Sequence, residues 1–271
     1  MEHTTITSRD GTRLATRRWV PESGTRAEVV LCHGLAEHMG RYAQVASKLV
    51  ERGYAVTGCE LRGHGHSAGK RGFVTRWTDY TDDLWATVDF VGKPCFIVAH
   101  SMGGLVATDA LREPQREILG LVLSDPLLGV AVKAPKIKIL AGRLLSRVLP
   151  SLAMGNELDT KLLTHDVEIV RAYDNDPLVF KTITPRWFTE MSAALERVHA
   201  AAPNYRHPML MLVGEEDRIC STEANYRFAG AYGGEDKKLI RYPGLYHELF
   251  NELERERVFA DVLAWLDAHP A

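Results

Sequence analysis

The sequence predicts an α/β fold, a mostly parallel eight-stranded sheet flanked by helices. Two observations carry this. Short β-branched apolar runs alternate with longer helical patterns along most of the chain, the signature of βαβ units, because neighbouring parallel strands need a crossover between them. The first two runs are separated only by a short segment containing Asp10-Gly11, a tight-turn signal that implies an antiparallel start to the sheet.

Strands are expected at 4–8, 14–20, 28–32, 55–59, 94–99, 119–124, 208–213 and 238–242, and helices at 42–52, 77–91, 101–111, 221–232 and 252–268. From about residue 126 to 184 the alternation breaks. Pro, Lys and Arg are spread there among Leu, Ile and Val with no convincing strand, so the segment reads as a helical cap inserted between two strands of one domain covering 1–271.

Composition narrows the function classes. The 271 residues, 45% hydrophobic and 25% charged, can bury one large core. A formal net charge of -2 gives no basic footprint for nucleic acid. The N-terminus lacks the basic and apolar regions of a secretory signal, and no stretch approaches the roughly 20 apolar residues of a membrane span, so a cytoplasmic location is expected. Cys32, Cys59, Cys95 and Cys220 show neither a disulfide framework nor a paired zinc spacing. No cofactor or metal is expected. His64 and His66 in Arg62-Gly63-His64-Gly65-His66-Ser67 lack a carboxylate or cysteine ligand pattern and read as part of a structural turn.

The chemistry concentrates at strand ends, where open parallel sheets place their ligand crevice. Ile97-Val98-Ala99-His100-Ser101-Met102-Gly103-Gly104 is an apolar strand feeding a small-x-Ser-x-Gly turn and then a helix. That is a nucleophile elbow, and it specifies the α/β-hydrolase fold with Ser101 as nucleophile. Ala99 stands where Gly is usual, a departure of one methyl group.

A serine hydroxyl needs a histidine base oriented by a carboxylate, and in this fold the chain order is Ser, acid, His. His165, His199, His207, His247 and His269 follow Ser101. His247 is the candidate, because its loop follows the last strand and precedes the last helix. The loop after the preceding strand offers Glu215, Glu216 and Asp217. Asp217 is favoured because the turn opened by Gly214 needs a few residues to aim a side chain at the neighbouring loop; Glu216 is the runner-up, and Asp125, after an earlier strand, is a second alternative. The oxyanion requires preorganised N–H donors. Met102 supplies one, and Leu35, in the His33-Gly34 turn after an early strand, supplies the other.

The runs His33 to Tyr42, Arg62 to Ser67, Ala99 to Gly104, Glu216-Asp217-Arg218 and Tyr246-His247-Glu248 resemble the monoacylglycerol lipase and lysophospholipase family of α/β hydrolases. The similarity covers nearly the whole chain, including Ala172-Tyr173-Asp174-Asn175-Asp176-Pro177-Leu178, which looks like that family's cap. The resemblance implies Ser101, Asp217 and His247 as the triad and Leu35 with Met102 as the oxyanion pair. It also implies that Glu37 and Arg41 line or brace the end of the pocket that receives glycerol; His100, beside the nucleophile, is grouped with them as a substrate-binding residue. The family usually carries Gly at position 99 and Asp where this chain has Glu60, and neither change touches a reacting atom. The expected substrate is a lipid ester, most simply a monoacylglycerol, with a lysophospholipid, a general carboxylic ester or an aminoacyl substrate as alternatives that the same triad serves; a non-catalytic ligand receptor of this fold is the remaining alternative, and it would predict a broken triad, whereas all three members are present.

Within the cap, Ile137, Leu140, Ala141, Leu144 and Val148 follow helical spacing beside Lys136, Arg143 and Arg147, a basic amphipathic helix. It reads either as a cap helix packed on the body or as a lid that touches membrane surfaces peripherally. Both readings place an apolar roof over Ser101. Cys220 reads as a buried thiol near the pocket, and 248–257 as a solvated helix start.

Overall fold

In the computed structural model, which describes residues 1–131 and 136–269, every expected strand is found, with ends shifted by no more than two residues. They are β1 (Glu2–Thr7), β2 (Arg13–Trp19), β3 (Ala27–Cys32), β4 (Tyr54–Cys59), β5 (Cys95–His100), β6 (Ile118–Ser124), β9 (Met209–Gly214) and β10 (Lys237–Tyr242); the missing numbers, β7 (Met154–Gly155) and β8 (Thr182–Ile183), are a small ladder inside the cap. The sheet order is β1-β2-β4-β3-β5-β6-β9-β10. Strand β2 runs antiparallel to both β1 and β4, and all other neighbours are parallel. The antiparallel start implied by Asp10-Gly11 is thus present.

Alternation along the strands builds two cores. On β5, Cys95, Ile97 and Ala99 face one apolar layer while Phe96 and Val98 face the other. Helices α1 (Ala43–Glu51) and α8 (Arg255–Ala268) cover the second face, and α2 (Thr78–Val91), α3 (Met102–Ala110) and α7 (Thr222–Ala231) cover the first. Strand β5, central and buried on both faces, places its C-terminal end in the middle of the crevice.

The cap comprises α4 (Lys136–Val148), α5 (Val167–Asn175) and the β7–β8 ladder, followed by α6 (Pro185–Ala201). Helix α6 packs on both α4 and α3, so irregular order ends at 184 while the excursion from the sheet continues to β9. Its start is written in the sequence: Thr184 caps the Trp187 amide and Pro185 occupies the first turn. Helix α4 confirms the amphipathic pattern but not the roof. Leu140, Leu144 and Val148 are 69%, 63% and 66% exposed, so this part of the apolar stripe faces outward, while Ser146 turns inward and hydrogen-bonds Thr189. The side chains of Lys136, Ile137 and Ala141 lie outside the described residues. Among the described residues, no helix is long and apolar enough to cross a membrane.

Candidate active site

Ser101 sits between β5 and α3 at φ 50°, ψ −119°, a backbone conformation that L-residues adopt only where surrounding structure enforces it. The enforcement is visible. Its amide donates to Ser124 O on β6, and its carbonyl accepts from Gly104 and Leu127. A Cβ on Gly103 would drive into the Cys32 carbonyl at the end of β3, so the glycine lets α3 start directly beside the sheet.

His247 Nε2 lies 2.9 Å from Ser101 Oγ, and His247 Nδ1 lies 2.8 Å from Asp217 Oδ2. Asp217 Oδ1 accepts from the Ile219 and Cys220 amides at 2.7 and 3.0 Å, which fixes the carboxylate. Its other oxygen accepts the Nδ1 proton, leaving Nε2 as acceptor for the serine hydroxyl. Burial alone would push the imidazole down, but the Asp217 charge and hydrogen bond outweigh it and raise the pKa above its ordinary 6.5. Since only the neutral ring can take a proton, the acid limb of kcat/KM should fall above pH 6.5. Rates on a soluble ester from about pH 5 to 9 would test this, and a limb below 6.5 would contradict it.

The alternatives to this triad, His207 apart, have other partners. Glu216 is exposed and pairs with Arg218. Asp125 is fully buried and accepts from the Gly214 amide; burial, then the Asp217 charge, raises its pKa well above the usual carboxylate range. His165 stacks on Tyr246 and binds Glu252, His199 binds Leu128 O, His207 has an unpartnered Nδ1, and His269 sits beside Asp236.

Leu35 and Met102, the expected oxyanion donors, lie on the two segments next to the elbow serine. Met102 is the first residue of α3, whose opening N–H groups have no intrahelical acceptor. Leu35 follows the close contact of Gly34 with Ser101, where a Cβ would come within 3.3 Å of the serine Cβ. Ala36, at φ 66°, completes the turn.

A small, partly open cleft adjoins this centre, lined by the polar side chains of Glu37, Arg41, Tyr42, His100, Glu248 and Asn251 together with Val45 and Phe250. Arg41 Nη1 donates to Glu37 at 2.5 Å and to Glu248 at 2.8 Å, and Nη2 donates to Glu248 at 2.7 Å. Glu37 Oε1 also accepts from the Gly34 amide and Tyr42 hydroxyl. Burial opposes ionisation of Glu37, yet Arg41 and its neighbours reverse that and hold it at about 2; the Glu248 carboxyl is likewise held low, against burial, by Arg41. His100 donates from Nδ1 to Ser124 O, and burial followed by the nearby His247 lowers it to about 4. Its ring is neutral at pH 7, with Nε2 left as an acceptor.

Two residues here escaped sequence reasoning. Tyr173 of the cap lays its ring 4.7 Å from the Arg41 guanidinium, a contact no spacing between them announces. Glu248 is the second, and it corrects an expectation: the stretch 248–257 is not a solvated helix start. Glu248 is 5% exposed and Glu252 fully buried, and α8 begins only at Arg255. The signal available was the position of Glu248 directly after the candidate base.

Cap and base loop are joined. The Glu248 amide donates to Leu163 O at 2.7 Å, and Glu252 accepts from the Tyr246 and His165 amides and pairs with the His165 ring. Cys220 Sγ is 4.0 Å from Ser101 Oγ and buried, and burial, then the Asp217 charge, keeps its thiol protonated. Asp217, Cys220 and His247 also form the one metal-like grouping among the described residues, but the His247 Nδ1 is committed to Asp217. His64 is buried against His33, with burial lowering it to about 3, while His66 turns to Glu60.

Comparison with known proteins agrees with this architecture. The family model described as serine aminopeptidase, S33, a Hydrolase_4 model, matches residues 23–254. A monoacylglycerol lipase of Mycolicibacterium smegmatis is 32% identical over 266 residues, covering 96% of this chain and 94% of its own. Phospholipase YtpA of Bacillus subtilis is 30% identical, with 90% and 96% covered. The crystal structure of Paleococcus ferrophilus monoacylglycerol lipase superposes with a TM-score of 0.89 at 32% identity, covering 94% of this chain and 99% of that one. Matched by this family model and by these relatives over nearly its whole length, the chain belongs to the monoacylglycerol lipase family of α/β serine hydrolases.

Proposed function

We propose that this chain hydrolyses carboxylic esters of lipids, monoacylglycerols foremost, through an acyl-enzyme on Ser101, with 1–271 working as one catalytic unit under its cap. The observation that carries the reading is the hydrogen-bonded line from Ser101 through His247 to Asp217, with the cleft of Glu37, Arg41 and Glu248 beside it reached through His100, the residue before the nucleophile.

In the first step His247 Nε2 takes the Ser101 proton as Oγ bonds to the ester carbonyl carbon, and the Leu35 and Met102 amides hold the oxyanion. The tetrahedral adduct collapses, the C–O bond to the alcohol breaks, and His247 returns the proton to the departing glycerol oxygen. Water then repeats the sequence on the acyl-enzyme and releases the fatty acid. Glu37, Arg41 and His100 shape the end that receives the alcohol. The test is a substrate panel read as kcat/KM: monoacylglycerols of several chain lengths beside lysophosphatidylcholine, triacylglycerol and an aminoacyl amide. A preference for the lysophospholipid or amide would replace the monoacylglycerol reading.

The outward stripe of α4 supports peripheral contact with lipid. Leu140, Leu144 and Val148, with exposed Leu149 and Leu152 following them, form an apolar surface beside the cations of Arg143 and Arg147, the combination that inserts into a lipid interface. Leu144→Glu should therefore lower turnover of monoacylglycerol in anionic vesicles about tenfold, with a short soluble ester unaffected. Equal losses on both substrates, measured side by side, would remove membrane contact from the reading.

A further inference from the structure

The alcohol pocket contains an arginine that has the makings of an anion site, yet its neighbours deny it that use. Arg41 spends three N–H bonds on its two carboxylates, and Glu248 takes its end-on fork bidentately. Tyr173 covers the guanidinium at 4.7 Å. All three side chains of the Glu37–Arg41–Glu248 group are at least nine-tenths buried. Two carboxylates against one guanidinium leave the group one negative charge in excess. His100 and Tyr42, the other titratable groups on this wall, are both neutral and add no cation. Glu248 also accepts from Asn251 at 2.8 Å, which fixes it facing the pocket.

Arginine forks recognise carboxylates and phosphates bidentately. With the fork occupied and the excess charge negative, the wall offers acceptors to hydroxyl donors and repels anions. Specificity of this kind comes as much from a built-in repulsion as from attraction.

We propose that Glu248 is a specificity-determining residue that closes the Arg41 fork and so restricts the alcohol half of the substrate to uncharged polyols, excluding esters whose headgroup carries a phosphate. The inference rests on the lipid-ester reading above and sharpens it: the alcohol is recognised as a hydrogen-bond donor, and a phosphate on the same glycerol is rejected. No remote lid motion is needed, because the discriminating charge lies next to the base.

The experiment compares 1-oleoylglycerol with 1-oleoylglycerol 3-phosphate, which share acyl chain and scissile ester, in the same nonionic mixed micelles with the full chain. The wild type should prefer the neutral ester by at least about 100-fold in kcat/KM, and glycerol 3-phosphate should not compete. In Glu248→Gln the preference should fall tenfold or more, and glycerol 3-phosphate should become a competitive inhibitor. Asn251→Lys, which adds a cation beside Glu248 at the half-buried rim, should shift the ratio in the same direction and stands in if the Gln variant does not fold. Fluorophosphonate titration of Ser101 counts competent sites in each protein. A wild type that hydrolyses both esters within threefold overturns the proposal, as do variants with full titration and an unchanged ratio. A wild type that turns over neither ester instead removes the lipid-ester reading, which keeps the two failures apart.

Discussion

Ser101→Ala should lower kcat/KM on a monoacylglycerol by about 10⁵- to 10⁶-fold while the protein remains folded. The size follows from the loss of the only atom able to form the acyl-enzyme; the remaining residues act as a unit around it, so what survives is binding and oxyanion stabilisation. The nearest other nucleophile, Cys220 Sγ at 4.0 Å, does not rescue the variant, because burial holds it as a thiol and the thiolate is the reactive form. Stability should change by no more than about 1 kcal/mol, since Ser101 is held by backbone contacts that alanine keeps. Activity measured with unfolding by denaturant checks both halves. Appreciable residual turnover on p-nitrophenyl esters would sink the assignment of the nucleophile.

Asp217→Asn should cost about 10⁴-fold in kcat, nearly all of it through the tautomer of His247. The Ile219 and Cys220 amides already donate to Oδ1, so the amide oxygen of Asn is drawn to that side and its NH₂ faces Nδ1. The ring must then carry its proton on Nε2, where it meets Ser101 as a donor and cannot accept. Loss of the carboxylate also removes the charge that raises the His247 pKa, so the residual activity should titrate at lower pH than the wild type. A variant losing less than about tenfold would return the acid role to Asp125 or Glu216.

What could be read from the sequence was whatever a short segment decides for itself. The elbow is local: strand, turn and helix meet at Ser101, and Gly103 is required by the immediate approach of β3. The order Ser, acid, His then limits the base to a few residues, and Asp217 is placed by a turn only three residues long. Residues governed by distant partners were not legible. Glu248 reads as a solvated charge until Arg41, 207 positions earlier, comes to meet it. Tyr173 is one aromatic in a polar helix until its ring closes over the same guanidinium. The α4 stripe has the periodicity of an amphipathic helix whichever way it faces, because periodicity fixes which side chains share a side and not what that side meets.

The bonds between 163–165 of the cap and 248–252 of the base loop have an engineering consequence. A cap in this fold is commonly pictured as an exchangeable module that sets substrate range while the catalytic body stays constant. Here the carbonyl of Leu163 and the ring of His165 are part of the scaffold that holds the loop of His247. A graft of a foreign cap must therefore bring matching partners for Glu248 and Glu252, or accept a displaced base along with the new specificity. Cap and base loop are mechanically one piece across that seam.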